Sequence, residues 1–317
     1  MKWTRAVSPT PNPDTIEHLV DTLLKSYQAE PVDLLGIGDA EGEYRYLTGL
    51  RPTYVRTVHD IVDQLNGHDP RSVKVLEIGC FLGLVSIALA RVGFQVTATD
   101  IPEFLRCARL RERLDRAGVC HQACNLRDYR LPFEDETFDV VVMCEVLEHL
   151  NFNPLPIICE INRVIKPHGV AYVALPNLAH EANRRRLLGG ESIHNPIKDF
   201  FAQLDPKKNM IVGLHWREYT TAEVKEMLEE MGFAVMEQRY VSMWLPASNS
   251  GLLPKRWAKK MIHRFLNNAF ARRLIYAALF DAEHDPSLRD SHVTFARKNE
   301  MCRRRFYFTE ATSPGPP

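Results

Sequence analysis

The sequence predicts an α/β fold with a mostly parallel β-sheet and helices on both of its faces. Short apolar runs of strand length alternate with longer segments whose apolar residues recur at helical spacing. The first of these strands passes through a glycine turn directly into a helix, as in a βαβ unit. The 317 residues are enough for one large domain with additions, and 45% of them are hydrophobic, which suffices to cover a sheet on both sides.

The predicted elements follow one another regularly along most of the chain. Seven apolar runs are predicted as strands, in chain order Val73–Ile78, Gln95–Thr99, Val119–Ala123, Val140–Cys144, Gly169–Leu175, Ala234–Val241 and His292–Arg297. Helical spacing, with Asp14 as a candidate cap of the first helix, predicts helices at Ile16–Glu30, Tyr54–Leu65, Leu84–Val92, Glu103–Ala117, Leu155–Ile165 and Thr221–Met231. The stretch Gly36–Gly42 is predicted to be a loop.

These elements divide the chain into a helical cap at 13–67 and a main domain at 68–300, between a disordered tail at 1–12 and a second tail at 301–317. The two cap helices are expected to cover a ligand cleft. A helical insertion at 243–290 separates the last two strands and is much longer than an ordinary loop. It contains a basic amphipathic helix, which predicts a packing helix, with peripheral membrane contact through 255–280 as the alternative.

Composition excludes several classes of protein. Lys and Arg together number 40, as do Asp and Glu, so the net charge indicates neither nucleic acid nor an anionic membrane as a partner. The seven cysteines are odd in number and form no paired ligand motif. With no signal-peptide pattern and no apolar run of membrane-spanning length, a reduced, cytoplasmic protein is expected. The oligomeric state is not predicted.

The turn after the first strand predicts a nucleotide-like cofactor, because a helix that begins in a glycine turn presents backbone N–H groups and a positive helix end. The turn contains Gly79 and Gly83, with Phe81 between them. A pyrophosphate needs glycine at that middle position, so a cofactor without phosphates fits better. Asp100 ends the second strand, where it can accept hydrogen bonds from ribose hydroxyls.

Four motifs in order, VLEIGCFLG, TATD, LPFEDETFDVVVMCEVLEHL and EINRVIKPHGVAYVALPN, give the chain its resemblance to a known family. From about Val73 to Val241, together with the last strand, it resembles class I S-adenosylmethionine-dependent methyltransferases. The resemblance implies a Rossmann-like, seven-stranded sheet whose last strand is antiparallel to the others. It implies S-adenosylmethionine as the cofactor, over the carboxyl ends of strands one, two and four.

The resemblance also implies which residues bind this cofactor. Asp100 would bind the ribose, and Ile101 would pack against the adenine. Asn125 and Leu126 follow the third strand, where family members contact the adenine amino group. The cofactor set predicted in this way is Glu77, Gly79, Gly83, Asp100, Ile101, Asn125, Leu126 and Glu145.

The stretch Glu145-Val-Leu-Glu148-His149 follows the fourth strand, beside the expected methyl donor. If it turns helically, its two carboxylates and its imidazole lie on one face, and His215 can add a fourth ligand. Oxygen-rich ligation favours Mg²⁺ or Mn²⁺. The pattern E-x-x-E-H followed by H-x-x-E-aromatic-Thr is similar to small-RNA 2′-O-methyltransferases, and its first half to quinone-biosynthesis O-methyltransferases. Without a metal, His149 is the first candidate for a general base and His215 the second.

The predicted function is O-methylation of a hydroxyl group. The segment 177–219 is expected to form much of the acceptor pocket, and its general pattern is similar to methyltransferases that act on sugars or glycan precursors. A saccharide or another polar small molecule is therefore the predicted acceptor. Metal-dependent RNA ribose 2′-O-methylation is the alternative within the class, with RNA disfavoured by the neutral charge. An NAD(P)-dependent oxidoreductase is the alternative from another class.

Overall fold

A computed structural model describes residues 13–202, 204, 213–241, 291–302 and 304. The predicted tail at 1–12 and insertion at 243–290, with its candidate membrane helix, lie outside the described residues. So does most of the predicted tail at 301–317.

The core of the fold is one seven-stranded sheet in the order β3-β2-β1-β4-β5-β7-β6. Its strands are β1 (Lys74–Ile78), β2 (Gln95–Asp100), β3 (Cys120–Ala123), β4 (Phe138–Cys144), β5 (Ile165–Pro176), β6 (Phe233–Val241) and β7 (Ser291–Lys298). The first five strands pair in parallel, whereas β7 is antiparallel to both β5 and β6. This arrangement confirms the predicted α/β fold class and the antiparallel last strand.

The helices cover both faces of this sheet. They are α1 (Pro13–Ala29), α2 (Ala40–Gly49), α3 (Arg51–Gln64), α4 (Leu84–Val92), α5 (Pro102–Leu105), α6 (Ala108–Arg116), α7 (Leu155–Val164), α8 (Glu181–Leu188), α9 (Ile197–Ala202) and α10 (Thr221–Glu230). Alternate strand residues face opposite sides. Val140 and Val142 pack with α1, α3, α4 and α6, whereas Val141 and Met143 pack with α7 and α10.

Two predicted segments differ in the structure. The loop predicted at Gly36–Gly42 ends earlier, since α2 begins at Ala40 with Glu41 and Glu43 in its first turn, where acidic side chains favour a helix. The helix predicted at Glu103–Ala117 is interrupted at Cys107, which is extended. The interruption separates α5 from α6. Phe104 of α5 lines a cavity, and Leu114 of α6 packs against Gly83 in the turn between β1 and α4.

The cap is anchored to the turn that follows β1. The Tyr27 hydroxyl of α1 donates a hydrogen bond to the Leu82 carbonyl. The Arg113 guanidinium of α6 lies 4.0 Å over the centre of the Tyr27 ring and donates to Ser26 at 2.8 Å. These contacts fix α1 against the main domain and leave α2 and α3 above the carboxyl ends of the strands.

The last two strands bring distant parts of the chain together. Val241 at the end of β6 pairs directly with Ser291 at the start of β7. Among the described helices, none combines the length and the apolar character that crossing a bilayer requires.

Candidate active site

A cavity of about 600 Å³ lies at the carboxyl ends of β1, β2 and β4. Helices α2 and α3 of the cap lie above these strand ends. This volume is typical of a pocket for a cofactor-sized ligand. The cap provides much of the cover, with lining residues Gly42, Glu43, Tyr46, Leu47, Leu50, Thr53, Tyr54 and Thr57. Of the described part of the predicted acceptor segment 177–219, Gly213 and His215 line the cavity.

Both glycines of the turn between β1 and α4 are required by close packing. Gly79 has φ +75°, and a Cβ added to it would lie 2.3 Å from Cγ2 of Val146. Gly83 has φ +76°, and its Cβ would lie 2.6 Å from Cδ2 of Leu114. Both positions therefore need glycine for conformation and for space. Gly79 in particular lets the segment after β4 lie directly against the turn after β1.

Phe81 takes an uncommon conformation that Asp100 stabilises. Its φ is +48°, unusual for a residue with a side chain. Its amide donates a hydrogen bond of 2.7 Å to Oδ2 of Asp100, and its ring packs edge-on between Tyr46 and Phe104. The amide that could contact a phosphate is thus already bonded to a carboxylate, consistent with the prediction that this turn does not hold a pyrophosphate.

Glu77 is held by a hydrogen bond within the protein. Its side chain is buried, and the Ser86 hydroxyl in the first turn of α4 donates a hydrogen bond to it. Burial raises the pKa of Glu77 to about 8, although hydrogen bonds from the Ser86 side chain and amide oppose the rise. Glu77 lines the cavity, but its carboxyl group is used to fix the start of α4.

The remaining predicted cofactor residues also line the cavity, namely Ile101, Asn125, Leu126 and Glu145. Asn125 uses Oδ1 to accept a hydrogen bond from the Arg127 amide at the start of a short 3₁₀ turn, Leu126–Asp128. Its amide group is therefore held at the end of β3, where the resemblance places the adenine contact.

The segment after β4 is not the helix that would place Glu145, Glu148 and His149 on one face. Glu145 has φ +54°, and its amide still bonds to Ala174 of β5, so it continues the strand edge. A 3₁₀ turn then runs from Leu147 to His149. As a result Glu145 falls outside the group of potential ligands that the structure brings together.

That group consists of Glu148, His149 and His215, and we call it the EHH cluster. One potential ligand atom from each residue lies within 4.8 Å of the others. Two backbone contacts bring the segments together: Trp216 N donates to the Glu148 carbonyl at 2.8 Å, and His149 Nδ1 bonds to the Leu214 carbonyl at 3.0 Å. Three of the four predicted metal ligands thus meet beside the cavity.

Burial dominates the protonation of two members of the EHH cluster, Glu148 and His149. Glu148 is completely buried, and its carboxylate oxygens accept no hydrogen bond of good geometry among the described residues. Burial raises its pKa to about 8, although its own amide and Glu145 favour the ionised form. Burial also lowers the pKa of His149 to about 4. His149 is therefore neutral at pH 7, as a metal ligand must be, and its low pKa makes it a weak general base.

The EHH cluster fits a divalent cation. His149 Nδ1 faces a carbonyl oxygen and His215 Nδ1 faces Glu218 Oε1 at 3.0 Å, so both Nδ1 atoms are donors. In a neutral imidazole with its hydrogen on Nδ1, Nε2 is free to bind a cation, and Nε2 of His149 lies 3.7 Å from Oε1 of Glu148. A buried carboxyl group without hydrogen bonds beside two such nitrogens is a typical ligand set for a cation.

Comparison with known proteins agrees with the fold. Residues 76–173 match a family model described as a methyltransferase domain. The chain contains a class I S-adenosylmethionine-dependent methyltransferase domain. A putative methyltransferase from Haloferax volcanii, solved in complex with the activator Trm112, has the same fold, with a TM-score of 0.51 and 16% identity over 84% of this chain and 98% of that one.

Curated relatives match about half of the chain. A ubiquinone biosynthesis O-methyltransferase of Xanthomonas campestris (strain B100) is 33% identical over 156 residues, which cover 49% of this chain and 62% of the relative. The corresponding enzyme of Glaesserella parasuis is 28% identical over 159 residues, covering 49% and 65%. The chain thus spans less than two thirds of the length of these relatives.

The cavity of the methyltransferase domain suits S-adenosylmethionine, the cofactor of the family. Asp100 lies at its wall, and two hydroxyl groups that line it, those of Thr53 and Thr99, are buried without hydrogen-bond partners in the described structure. A ligand with several polar groups can satisfy them. Sequence reasoning missed Thr53 and Tyr54 as lining residues, because only the packing of α3 over the sheet places them there.

The Asp100 carboxyl group predicts a pH dependence of cofactor binding. Burial raises its pKa to about 6, against hydrogen bonds from the Phe81 and Ile101 amides. Its protonated form loses acceptor capacity for ribose hydroxyls, so the affinity for S-adenosylhomocysteine should fall by roughly tenfold from pH 7 to pH 5. Calorimetric titration measures this. Asp100→Asn should bind weakly at both values, and a pH dependence unchanged in that variant would assign the effect to another group.

Proposed function

We propose that this protein transfers a methyl group from S-adenosylmethionine to a hydroxyl group of a small-molecule acceptor. The observation that carries the proposal is the position of the EHH cluster, at the cavity edge where β4 ends. O-methylation requires a hydroxyl group to be oriented and to lose its proton. A carboxyl group and two imidazoles at this edge are suitable for both tasks.

Each part of the site has a distinct task in this proposal. Asp100 accepts hydrogen bonds from the ribose of the cofactor. Apolar and aromatic residues of the helical cap, such as Tyr46 and Leu47 of α2, exclude water from the reacting groups. Glu148, His149 and His215 would hold a divalent cation, Mg²⁺ or Mn²⁺. When bound, the cation would lower the pKa of the acceptor hydroxyl group and keep its oxygen in place.

The lining of the cavity supports an acceptor with an apolar or aromatic body. Leu47, Leu50, Tyr54 and Leu150 are among its lining residues, whereas a saccharide needs many polar partners. The names of the curated relatives, which refer to O-methylation in ubiquinone biosynthesis, support an aromatic hydroxyl of the quinone-precursor type. The predicted saccharide acceptor remains a prediction, as do the RNA alternative, the cytoplasmic location and the membrane contact.

Two contacts weigh against the oxidoreductase alternative. The first turn of α4 is already bonded to the carboxyl group of Glu77, and the Phe81 amide is bonded to Asp100. A dinucleotide pyrophosphate would have to replace these internal carboxyl groups at the positive end of the helix.

The proposal is tested with purified protein and S-adenosylmethionine labelled in its methyl group. We expect label in an aromatic compound with two neighbouring hydroxyl groups, in the presence of Mg²⁺ or Mn²⁺, and loss of this activity in EDTA. Saccharides and 3′-terminal RNA are the comparison acceptors. S-adenosylhomocysteine should raise the melting temperature and NADH should not. Stabilisation by NADH alone would overturn the proposal, and full activity in EDTA would overturn its cation part.

A further inference from the structure

Glu218 is a partly buried carboxylate in contact with the EHH cluster, and the proposed function leaves it without a task. It follows His215 by three residues, and its side chain is 14% exposed. Oε1 of Glu218 lies 3.0 Å from Nδ1 of His215. Its other oxygen, Oε2, accepts a hydrogen bond of 2.7 Å from Nδ2 of Asn183. The carboxylate therefore links α8 to the imidazole of His215.

Asn183 is itself held in one orientation. It is 3% exposed, and its Nδ2 also donates to the Leu178 carbonyl at 3.0 Å. A carbonyl oxygen only accepts hydrogen bonds, so the Asn183 amide nitrogen must face both Leu178 and Glu218. Asn183 thus presents a donor to Glu218.

The contacts of Glu218 determine the tautomer of His215. Oε2 of Glu218 faces the fixed amide donor of Asn183, and Oε1 faces Nδ1 of His215. A carboxylate only accepts hydrogen bonds, so Nδ1 of His215 is the donor in this contact, and in the neutral form of the ring Nε2 then keeps its lone pair. The two imidazole rings of the EHH cluster lie 5.0 Å apart between their centres, and the second ring nitrogen of each is not used by these anchoring contacts.

We infer that Glu218, held by Asn183, is a positioning residue that keeps His215 in the tautomer able to bind a cation through Nε2. The inference rests on the cation site of the proposed function. A carboxylate behind a ligating imidazole fixes its orientation and raises its basicity, and loss of such a partner typically weakens metal binding 10- to 100-fold. His149 has only a carbonyl oxygen in the equivalent place.

The same contacts predict an unusual effect of Glu218→Gln. The fixed amide donor of Asn183 attracts the oxygen of the new side chain, which places the new NH₂ group against Nδ1 of His215. Nδ1 must then accept, so the hydrogen moves to Nε2, and this nitrogen can no longer bind a cation. An isosteric substitution is therefore expected to invert the tautomer without a change in side-chain volume.

Nitrogen NMR of ¹⁵N-histidine protein and Mn²⁺ binding followed by electron paramagnetic resonance test this inference. The His215 signal is identified by its loss in His215→Asn. We expect an Nδ1–H tautomer in the wild type, an Nε2–H tautomer in Glu218→Gln, and Mn²⁺ binding at least about tenfold weaker in that variant. Glu226→Gln, at an exposed glutamate of α10, should match the wild type. Glu218→Asp, which keeps the charge but shortens the reach, should be intermediate.

Two outcomes would overturn the inference: an unchanged His215 tautomer in Glu218→Gln, or an inverted tautomer with unchanged Mn²⁺ affinity. Failure of wild-type protein to bind Mn²⁺ has a separate meaning, because it would overturn the cation part of the proposed function. The tautomer is measured in metal-free protein, so it shows independently whether Glu218 controls His215.

Discussion

Glu148→Gln is expected to lower turnover by about 10³-fold, equivalent to ~4 kcal/mol of transition-state stabilisation. Glu148 is the only carboxyl group in the EHH cluster of the described structure, and an amide cannot supply its negative charge. Affinity for S-adenosylhomocysteine should be nearly unchanged, since Asp100 and the glycine turn remain intact. Initial rates with labelled cofactor, with Glu226→Gln as the matched control, measure the effect. A loss below tenfold would remove Glu148 from the mechanism.

The same variant should be more stable than the wild type when no metal is present. The pKa of Glu148 is raised from 4.5 to about 8 by burial. The unfolded chain therefore releases this proton more readily, and the wild type loses folding stability as the pH rises from about 4.5 to about 8. Glutamine has no such proton. In EDTA, calorimetry should give Glu148→Gln the higher melting temperature at pH 8 and show no gain at pH 4; a lower value at pH 8 would contradict this explanation.

Gly79→Ala should reduce the free energy of unfolding by roughly 3 kcal/mol, from a positive φ and a severe overlap together. The new methyl group would lie 2.3 Å from Cγ2 of Val146, so relief of the overlap must move the segment that bears Glu148 and His149. Activity of the folded fraction should therefore fall as well. Urea unfolding and the methyl-transfer assay measure the two effects.

Gly38→Ala separates the two causes. Gly38 also has a positive φ, of +86°, but nothing lies within 4 Å of its added Cβ. Only conformational strain remains in this variant. We therefore expect its free energy of unfolding to fall by about 1 kcal/mol and its activity to equal that of the wild type. Equal losses of unfolding free energy in Gly79→Ala and Gly38→Ala would show that the overlap with Val146 does not destabilise the fold.

The sheet was predictable because its evidence is local. The central strands are compact apolar runs, such as Val140–Cys144, and the alternation of strands with helices constrains their connections. Helix α2 was not predicted, since Gly36, Gly38 and Gly42 suggest a loop. Its Tyr46 packs edge-on against Phe81, and this tertiary contact has no counterpart in the local pattern.

The residues of the candidate site were predictable in kind but not in arrangement. The spacing of Glu145, Glu148 and His149 suggests a shared helical face, yet the positive φ of Glu145 separates it from the other two. That conformation depends on pairing with β5 and on the approach of Gly79, both of which join residues distant in sequence. Likewise, the H-x-x-E spacing contains Glu218, but its contact with Asn183 spans 35 positions.

The direct pairing of Val241 with Ser291 has a consequence for how this protein can vary. The sequence has 49 residues between them, and the two described ends that flank these residues lie at adjacent points of the sheet. A two-residue hairpin turn can bridge the same gap, and the entropy of closing a flexible loop grows only slowly with its length. We therefore expect this junction between β6 and β7 to accept different intervening sequences. Related proteins can then carry different insertions here while their sheets and active sites keep the same structure.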